Sequence, residues 1–394
     1  MSGVLEGIRI VDFCRFVSGP FCTALLADMG ADVIRIDKIG GSEDRFTGPI
    51  TPDGTGAAFM QLNRNKRSLT LDPTNPEGRE VVRRLVAHAD VVAANMPSES
   101  LGAMGIDYAT LREIKPDIIL MNITGFGSKG PYANRVGFDG IAQAMSGSTY
   151  LGGPPDQPVK SNAPYVDYGT AFLAALGTLA AILHRERTGE GQVVECSLLS
   201  TALTLANPAI IEQATLGLNR QGVFNRSYNS APSDIFKTQD GWLIIQIVGE
   251  PMFRRWCRLL ELTEWIGDPR FATDAARVIN FKALSTKMAE WAASRSTAEV
   301  TTAMERARIP CGPVLTPQQA FEEPHLQMIG FWKSVSYPGF EQNIPLASPP
   351  VDLSVSPLTI RVRPPTPGEH SYEILTELGY TLQEIEGLRA RSII

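Results

Sequence analysis

Residues 8–36 read IRIVDFCRFVSGPFCTALLADMGADVIRI, and this stretch sets the fold class. Two runs rich in isoleucine and valine, 8–13 and 32–36, have the composition of β-strands. The segment between them has the composition of a helix that is opened by Ser18 and closed by Gly30. A strand, a helix and a second strand in this order predict a βαβ unit with two parallel strands.

The alternation of strand and helix signals continues downstream. A helix is predicted to start at Pro76, and further strands are predicted at 90–94 and 117–121. Strands that alternate with helices are typical of a largely parallel sheet. The first part of the chain is therefore predicted to be an α/β domain.

A second, smaller domain is predicted to follow. Residues 236–250 hold two β-rich runs around Asp240-Gly241, which is a strong hairpin signal. Polar helical segments come next, from 252 to 308, so this domain is predicted to be α+β. The tail is rich in proline and ends in a short helix at 372–378, and we expect it to wrap over another surface.

Composition and charge limit the classes of function. The 394 residues carry a net charge of −6, which gives no indication of a nucleic-acid or membrane-surface partner. The five cysteines are widely spaced without a C-x-x-C pair, so neither a disulfide framework nor a metal site is predicted. The first residues lack the pattern of a signal peptide, and Gly177 interrupts the apolar run 168–183, which favours a buried helix over a membrane span. We therefore expect a cytoplasmic protein.

Polar loops are expected at the carboxyl ends of the strands, where parallel sheets bind ligands. Lys38 follows the second strand, and the run Asn63-Arg64-Asn65-Lys66-Arg67 adds three positive charges. Positive side chains near helix N-termini would suit a phosphorylated ligand. The alternative is a solvated basic turn that binds nothing.

One motif indicates a different ligand. Residues 125–130, GFGSKG, fit the G-x-G-x-x-G pattern of dinucleotide-binding proteins. In those proteins the pattern opens a long helix and precedes an acidic residue at a strand end, whereas here Pro131 follows and Asp156 lies in a Gly/Pro loop. An NAD-dependent oxidoreductase is therefore the weaker alternative.

Asp167 is the residue best suited to covalent chemistry. It lies at the start of a long Ala/Leu-rich helix, where a carboxylate either caps the helix or, on a pocket floor, attacks an activated acyl group. The helix N-terminus is expected to favour its ionised form. The four histidines lack the i, i+4 partner of a metal site, and no G-x-S-x-G motif exists, so a histidine-driven hydrolase is not indicated. The residues alone leave the capping and catalytic interpretations open.

Several motifs, in order along the chain, resemble those of the class III coenzyme A transferases, the formyl-CoA/carnitine-CoA or CaiB/BaiF type. YVDYGT around Asp167 and RTGEGQVV at 187–194 are similar to that family's signature segment. Further similar segments are residues 5–12, 30–36, 65–68, 125–127, 309–314 and 368–370. The resemblance covers nearly the whole chain.

The resemblance implies a fold and an assembly. Members of this family have a Rossmann-like large domain that binds CoA and is built from both ends of the chain, and a smaller domain between linkers. Two ring-shaped chains interlock as a homodimer. In this chain the implied boundaries are 1–200 for the large domain, 201–225 for a linker helix, 226–312 for the small domain and 313–394 for the return segment that completes the large domain.

The resemblance also implies a reaction. Asp167 occupies the family's catalytic position, where the carboxylate takes the acyl group from a donor thioester as an anhydride. It then carries CoA as an aspartyl thioester to a free carboxylic acid. Coenzyme A or acyl-CoA is then a substrate rather than a permanently bound cofactor, and neither ATP nor a metal is required.

Matching positions imply the substrate contacts. The residues implied at CoA are Lys38, Asn65, Lys66, Arg67, Asn95, Met96 and Arg135. The residues implied near the acyl groups are Val17, Ser18, Asp139 and Gly249. After Asn95, many members carry an aromatic residue and a basic residue that this chain lacks.

Departures from the family pattern bear on the substrate. Val17 stands where formyl/oxalyl enzymes have glutamine, and Gly249 stands alone where they have a run of glycines, which disfavours oxalate. Phe138 stands where 2-methylacyl-CoA racemases have histidine. Racemisation needs an acid and a base on opposite faces of the α-carbon, so it is the weaker alternative to transfer. The segments 63–66 and 197–200 resemble members that handle dicarboxylates and indicate a succinyl-type donor.

Overall fold

The computed structural model describes residues 3–394, which divide into two compact units. Unit 1 holds the chain up to Ser146, then Ser161–Ile210 and Gln327–Ile394. Unit 2 holds Gly147–Lys160 and Ile211–Leu326. Both ends of the chain therefore contribute to unit 1.

The strands in chain order are β1 (Arg9–Asp12), β2 (Asp32–Asp37), β3 (Lys66–Thr70), β4 (Val91–Ala94), β5 (Ile119–Thr124), β6 (Val193–Ser197), β7 (Ser233–Lys237), β8 (Trp242–Gln246), β9 (Cys311–Pro313), β10 (Trp332–Tyr337) and β11 (Phe340–Ala347).

The helices in chain order are α1 (Ser18–Asp28), α2 (Ala57–Leu62), α3 (Pro76–Ala87), α4 (Ser98–Met104), α5 (Tyr108–Ile114), α6 (Asp139–Met145), α7 (Ser148–Leu151), α8 (Tyr165–Thr188), α9 (Leu198–Leu216), α10 (Gly249–Leu259), α11 (Asp274–Ile279), α12 (Phe281–Ala293), α13 (Thr297–Arg306), α14 (Pro317–Phe321), α15 (Pro324–Met328), α16 (Ser371–Glu377) and α17 (Leu382–Ala390).

The first six strands form the sheet of unit 1, in the order β3-β2-β1-β4-β5-β6, and every neighbouring pair is parallel. The predicted βαβ unit is confirmed, since β1 and β2 pair from Arg9 opposite Asp32 onwards. This strand order is that of dinucleotide-binding folds, in which the order of successive strands in the sheet reverses between β1 and β4. The structure thus confirms the predicted α/β class. Strands β3 and β6 were not predicted.

Helices cover both faces of this sheet. On β1, Ile10 belongs to an apolar cluster with α1 and α8, and its neighbour Val11 belongs to a second cluster with α3 and the last two helices. Successive strand residues point to opposite faces, so a strand buried on both faces must be apolar throughout. The chain end takes part in this core, because Ile374 of α16 and Ile385 of α17 are fully buried.

Helix α8 is long and apolar enough to cross a membrane, with a mean hydropathy of 1.6. One side of it packs against α1 and the sheet through small side chains such as Ala171 and Ala174, which are fully buried. Alanine allows close approach of two helices, which explains why this helix is rich in it.

Unit 2 contains the predicted hairpin, in which β7 and β8 pair antiparallel and β9 adds a third strand. Trp256 of α10 is fully buried in its core. The segment 147–160 was predicted within the large domain but belongs here. Tyr150 hydrogen-bonds Gln221 at 2.9 Å, and Phe224 donates its backbone N–H to Gly153. The chain re-enters unit 1 at Gln327, later than the predicted residue 313, because β9 pairs with β8.

Candidate active site

Two clefts of unit 1 lie at the carboxyl ends of β1 and β4. This is the point where the strand order reverses, and such crevices are the usual ligand sites of open parallel sheets. Phe16, Asn95 and Met96 line both clefts and so form a shared wall. We call the cleft that contains Asp167 the acyl cleft and the one that contains Lys38 the nucleotide groove, after the ligands that the resemblance predicts for these residues.

The acyl cleft has a volume of about 170 Å³. Its lining is mostly apolar or backbone and comprises Phe16, Val17, Ser18, Asn95, Met96, Pro97, Ile123, Thr124, Gly125, Ala133, Arg135, Val136, Gly137, Phe138, Asp167 and Leu198. Among these described residues only Asp167 and Arg135 have acidic or basic side chains. A single carboxylate in an apolar cleft is suited to nucleophilic chemistry on an acyl group.

Asp167 is the third residue of α8 and is 8% exposed. Burial and, secondarily, the nearby Asp139 carboxylate raise the pKa of Asp167 to about 6, and a hydrogen bond with Ser18 works in the opposite direction. The helix end was predicted to favour the ionised form, whereas the pKa of Asp167 is raised, because burial disfavours the charge. The group is still mostly ionised at pH 7.

The capping interpretation of Asp167 is also wrong. Pro164 occupies the N-cap of α8 and makes no side-chain capping bond. The Asp139 carboxylate instead accepts hydrogen bonds from the backbone N–H groups of Val166, at 2.8 Å, and Asp167, at 3.1 Å. Asp139 therefore satisfies the free donors of the first turn, and the Asp167 side chain is left to face the cleft.

Val17 and Ser18, at the start of α1, line the same cleft as Asp167. Ser18 is the first residue of that helix, and Val17 is its N-cap. The helix can begin this close to the sheet because Gly19 follows, where a Cβ would come within 2.5 Å of the Cys14 sulfur. Val17 lines the cleft with an apolar side chain, and its place near the acyl groups stays a prediction.

The nucleotide groove is larger, about 590 Å³. Lys38 lines it, with a side chain that is 63% exposed and ion-paired to Glu43 at 2.9 Å. Arg15 and Thr74 also line the groove. The two basic side chains and the hydroxyl can meet phosphate oxygens, although two carboxylates, Glu43 and Asp72, also line the groove. Met96 and Met104 offer apolar walls for a flat ring.

The Asn95 side chain is engaged with the backbone of Arg15. Its Oδ1 accepts from the Arg15 N–H at 2.8 Å, and its Nδ2 donates to the Arg15 carbonyl at 2.6 Å. Asn95 thus fixes the loop after β1, between the two clefts. Met96 lies beside it on the shared wall.

Arg135 lies in the acyl cleft rather than in the nucleotide groove. Its guanidinium lies over the ring of Tyr132, with 4.5 Å to the centroid, and near that of Phe126, at 5.2 Å. No carboxylate among the described residues forms an ion pair with it. Stacking orients the guanidinium and leaves its donors available for an anion.

The run Asn65-Lys66-Arg67 lines neither cleft, and its predicted contact with CoA stays a prediction that these two clefts do not support. Lys66 is fully buried at the start of β3, and its ammonium donates to the Asp12 carboxylate and to Asn63, both at 2.9 Å. Arg67 pairs with Asp32 at 2.7 Å and with two acidic residues of α16. Both side chains are therefore engaged in ion pairs within unit 1.

Asn65 connects the start of β3 to the C-terminal segment 359–362 through three hydrogen bonds. Its amide donates to the carbonyl of Thr359, at 2.7 Å, and its carbonyl accepts from the N–H groups of Arg361 and Val362. The preceding Arg64 is buried against Asp28, at 2.6 Å. The basic run is therefore not a solvated turn, because its side chains make ion pairs and hydrogen bonds within unit 1.

Gly249 belongs to unit 2, where it is the first residue of α10 and has a φ of +76°. Its N–H donates to the Asp274 carboxylate, at 3.0 Å to one oxygen. Its predicted place near the acyl groups stays a prediction.

Sequence reasoning missed Phe16 as a site residue. It has a φ of +65°, its N–H donates to Asp44 at 3.2 Å, and its ring meets Phe138 edge-on at a centroid distance of 5.5 Å. A bulky residue with positive φ is strained, and such strain gathers at functional sites. No motif marks this residue in the sequence, because its conformation depends on the buried Arg35–Asp44 pair.

The geometry does not support the racemase or the NAD-dependent oxidoreductase. Phe138 lines the acyl cleft where a racemase needs a proton carrier, and a phenyl ring cannot exchange protons. The loop 125–130 opens no helix, since the next helix after β5 starts at Asp139. Among residues 3–394 no group of three His, Cys, Asp or Glu side chains is placed to hold a metal ion.

Comparisons with known proteins point in one direction. The model of CoA-transferase family III matches residues 5–371. The succinate–glutarate CoA-transferase of Agrobacterium fabrum is 34% identical over 386 residues, which cover 95% of both chains. The mouse succinyl-CoA:glutarate CoA-transferase is 33% identical over 99% of this chain and 90% of its own. The succinyl-CoA:mesaconate CoA-transferase of Haloarcula hispanica is 34% identical over 96% and 97%.

Solved structures agree with these relatives. A CaiB/BaiF family protein from Brucella suis is 34% identical and superposes with a TM-score of 0.84, covering 96% of this chain and all of that one. Rv3272 from Mycobacterium tuberculosis, at 26% identity, reaches 0.82 over 94% of this chain and 98% of its own. Because similarity of sequence and of structure extends over nearly the full length, the chain belongs to CoA-transferase family III and is an enzyme that transfers coenzyme A to carboxylic acids.

Proposed function

We propose that the enzyme moves CoA from a succinyl-type thioester to a dicarboxylic acid, with Asp167 as the covalent carrier. The observation that carries this proposal is the carboxylate of Asp167 in an apolar cleft that shares a wall with a larger groove lined by Lys38 and Arg15. In this arrangement the groove takes the nucleotide end of CoA. The pantetheine arm passes Phe16 and Met96, and the thioester reaches Asp167.

The proposed reaction has four acyl-transfer steps. An Asp167 oxygen attacks the donor carbonyl, the C–S bond breaks, and CoA leaves as the thiolate. The thiolate then attacks the aspartyl carbonyl of the resulting anhydride and releases the donor acid, which leaves an aspartyl-CoA thioester. The acceptor carboxylate displaces the thiolate to form a second anhydride. Thiolate attack on the acceptor carbonyl finally yields the new acyl-CoA and restores Asp167.

The environment of Asp167 supports the nucleophilic role. A carboxylate with a raised pKa is a stronger nucleophile than an ordinary one, and at about 6 it remains mostly ionised at neutral pH. The apolar lining keeps water away from the anhydride and thioester, which would otherwise hydrolyse.

The acceptor class is supported by relatives and by one side chain. The three relatives described above are named for glutarate or mesaconate, both dicarboxylic acids. In the acyl cleft, Arg135 offers a guanidinium without an acidic partner. We propose that it contacts the anionic part of the substrate, either in CoA or on the acid.

A panel of thioesters and acids tests this function. Incubation of the enzyme with succinyl-CoA and each of a series of mono- and dicarboxylic acids should give a new acyl-CoA, detected by mass spectrometry, with the highest rates for C4 and C5 dicarboxylates. CoA, but not NAD, should raise the melting temperature. Exchange of the α-proton of a 2-methylacyl-CoA without any acid would instead favour the racemase, and a panel without new thioesters would reject the proposal.

We also propose that the enzyme is a cytoplasmic homodimer. Apolar side chains stand exposed along helices of unit 1, including Leu176 of α8 at 63% and Leu205 of α9 at 55%. Exposed apolar residues in such number are typical of surfaces that another chain covers. Sedimentation equilibrium should give twice the chain mass, and a monomer at micromolar concentration would contradict the dimer.

A further inference from the structure

The buried acid that faces the catalytic helix is not part of the acyl cleft. Asp139 is the first residue of α6 and is 8% exposed. It is absent from the lining of the cleft, although its neighbour Phe138 is part of it. A group so placed acts on the reaction through other residues rather than by touching the substrate.

Asp139 forms hydrogen bonds with the backbone of α8 at Asp167 and at the preceding residue. One of its oxygens accepts from two successive N–H groups, those of Val166 and Asp167, and the other accepts from the Gln143 amide. Gln143 in turn binds the backbone of Ser161, with its Oε1 at 2.9 Å from the Ser161 N–H. Helix α6 and the chain that enters α8 are therefore linked by the Asp139 carboxylate and by Gln143.

The same carboxylate places a second negative charge beside Asp167. The titratable side chains placed near Asp167 are Asp139 on α6, Tyr168 on α8 itself and Arg135, which lines the same cleft; Ser18 on α1 contributes a hydrogen bond. Of these groups, Asp139 raises the pKa of Asp167 and Ser18 lowers it. Two buried carboxylates repel each other, and the repulsion ends when one of them becomes an anhydride or a thioester, because both are neutral.

We propose that Asp139 is a positioning residue for the transfer reaction: its hydrogen bonds fix the direction of the Asp167 carboxyl group, and its charge favours the acylated form of Asp167 over the free carboxylate. The proposal rests on the nucleophilic role of Asp167 proposed above. It replaces the expectation that Asp139 contacts the substrate.

Two substitutions separate the two parts of this role. Asp139→Asn keeps an oxygen that accepts from the α8 backbone but removes the charge. We expect the midpoint of the pH profile of kcat/KM to fall by about one pH unit from about 6, with a several-fold lower rate on the plateau. Asp139→Ala loses the hydrogen bonds as well, and we expect the plateau to fall on the order of 10²-fold because the nucleophile is misplaced.

Asp107→Asn is the matched control. Asp107 caps α5 by accepting from the Thr110 N–H at 3.1 Å and lines neither cleft, so its removal should leave the midpoint in place. An unchanged midpoint in Asp139→Asn overturns the proposal, even if Asp139→Ala fails to fold. Asp167→Asn is measured in parallel. If that variant retains transfer, the proposed function fails; if it is inactive while Asp139→Asn keeps the wild-type midpoint, only this inference fails.

Discussion

Asp167→Asn is expected to lower the rate of CoA transfer by a factor on the order of 10³ or more. The amide has nearly the shape of the carboxylate but no anionic oxygen, so neither the anhydride nor the aspartyl thioester can form. The rate is measured with succinyl-CoA and a dicarboxylic acid, by following new thioester in chromatography. In parallel, the wild-type enzyme incubated with acyl-CoA alone should show a CoA adduct on the peptide that contains Asp167, and the variant should show none.

The same variant should be more stable than the wild type above pH 6. Burial raises the pKa of Asp167 from 3.8 in the unfolded chain to about 6, so ionisation opposes folding. The stability that the neutral acid contributes is fully present below pH 3.8 and is lost as the pH rises through about 6. At pH 7.5 the neutral amide should therefore increase the free energy of unfolding by about 2 kcal/mol, while at pH 4 the two proteins should be nearly equal. An inactive variant that is also less stable at pH 7.5 would mean that activity was lost through misfolding, and a variant that retains transfer would remove Asp167 from the mechanism.

Lys66→Ala is expected to have the largest effect on stability, a loss of about 3–5 kcal/mol in the free energy of unfolding. The ammonium of Lys66 is completely buried and pairs with the equally buried Asp12, at 2.9 Å. Removing one member of the pair leaves an uncompensated charge in the core. Urea denaturation followed by circular dichroism measures the loss, and the double variant Asp12→Asn with Lys66→Met should recover part of it, because no charge then remains unpaired.

Lys38→Gln is expected to have the opposite effect to Lys66→Ala: it should change ligand binding rather than stability. The Lys38 side chain is 63% exposed in the nucleotide groove, and its surface ion pair with Glu43 contributes little. Its removal should change stability by no more than about 0.5 kcal/mol but weaken CoA binding several-fold in a calorimetric titration. If Lys66→Ala were instead fully stable and deficient in CoA binding, the phosphate site predicted from the sequence would be restored and our assignment of Lys66 to the core would be wrong.

The run Asn65-Lys66-Arg67 illustrates why a charged stretch of sequence does not by itself indicate a ligand site. Asn65-Lys66-Arg67 has the composition of a phosphate-binding turn, and it matches a motif of the family. Its meaning became clear only from the partners: Asp12 comes from β1, and the carbonyl of Thr359 comes from near the other end of the chain. Residues with the chemistry of a ligand site can thus serve to hold distant parts of the fold together.

The sequence by itself determined the fold class, the hairpin around Asp240-Gly241 and the position of the candidate nucleophile. Those features depend on periodicity, turn chemistry and local motifs, which are contained within short stretches of chain. Only the tertiary structure decided which charges are buried in pairs, that Phe16 is part of the wall between two clefts, and that Asp139 rather than Asp167 caps α8. These facts depend on contacts between residues far apart in sequence. The solvation and pairing of a charged side chain are set by what the fold brings against it, and no local pattern records that.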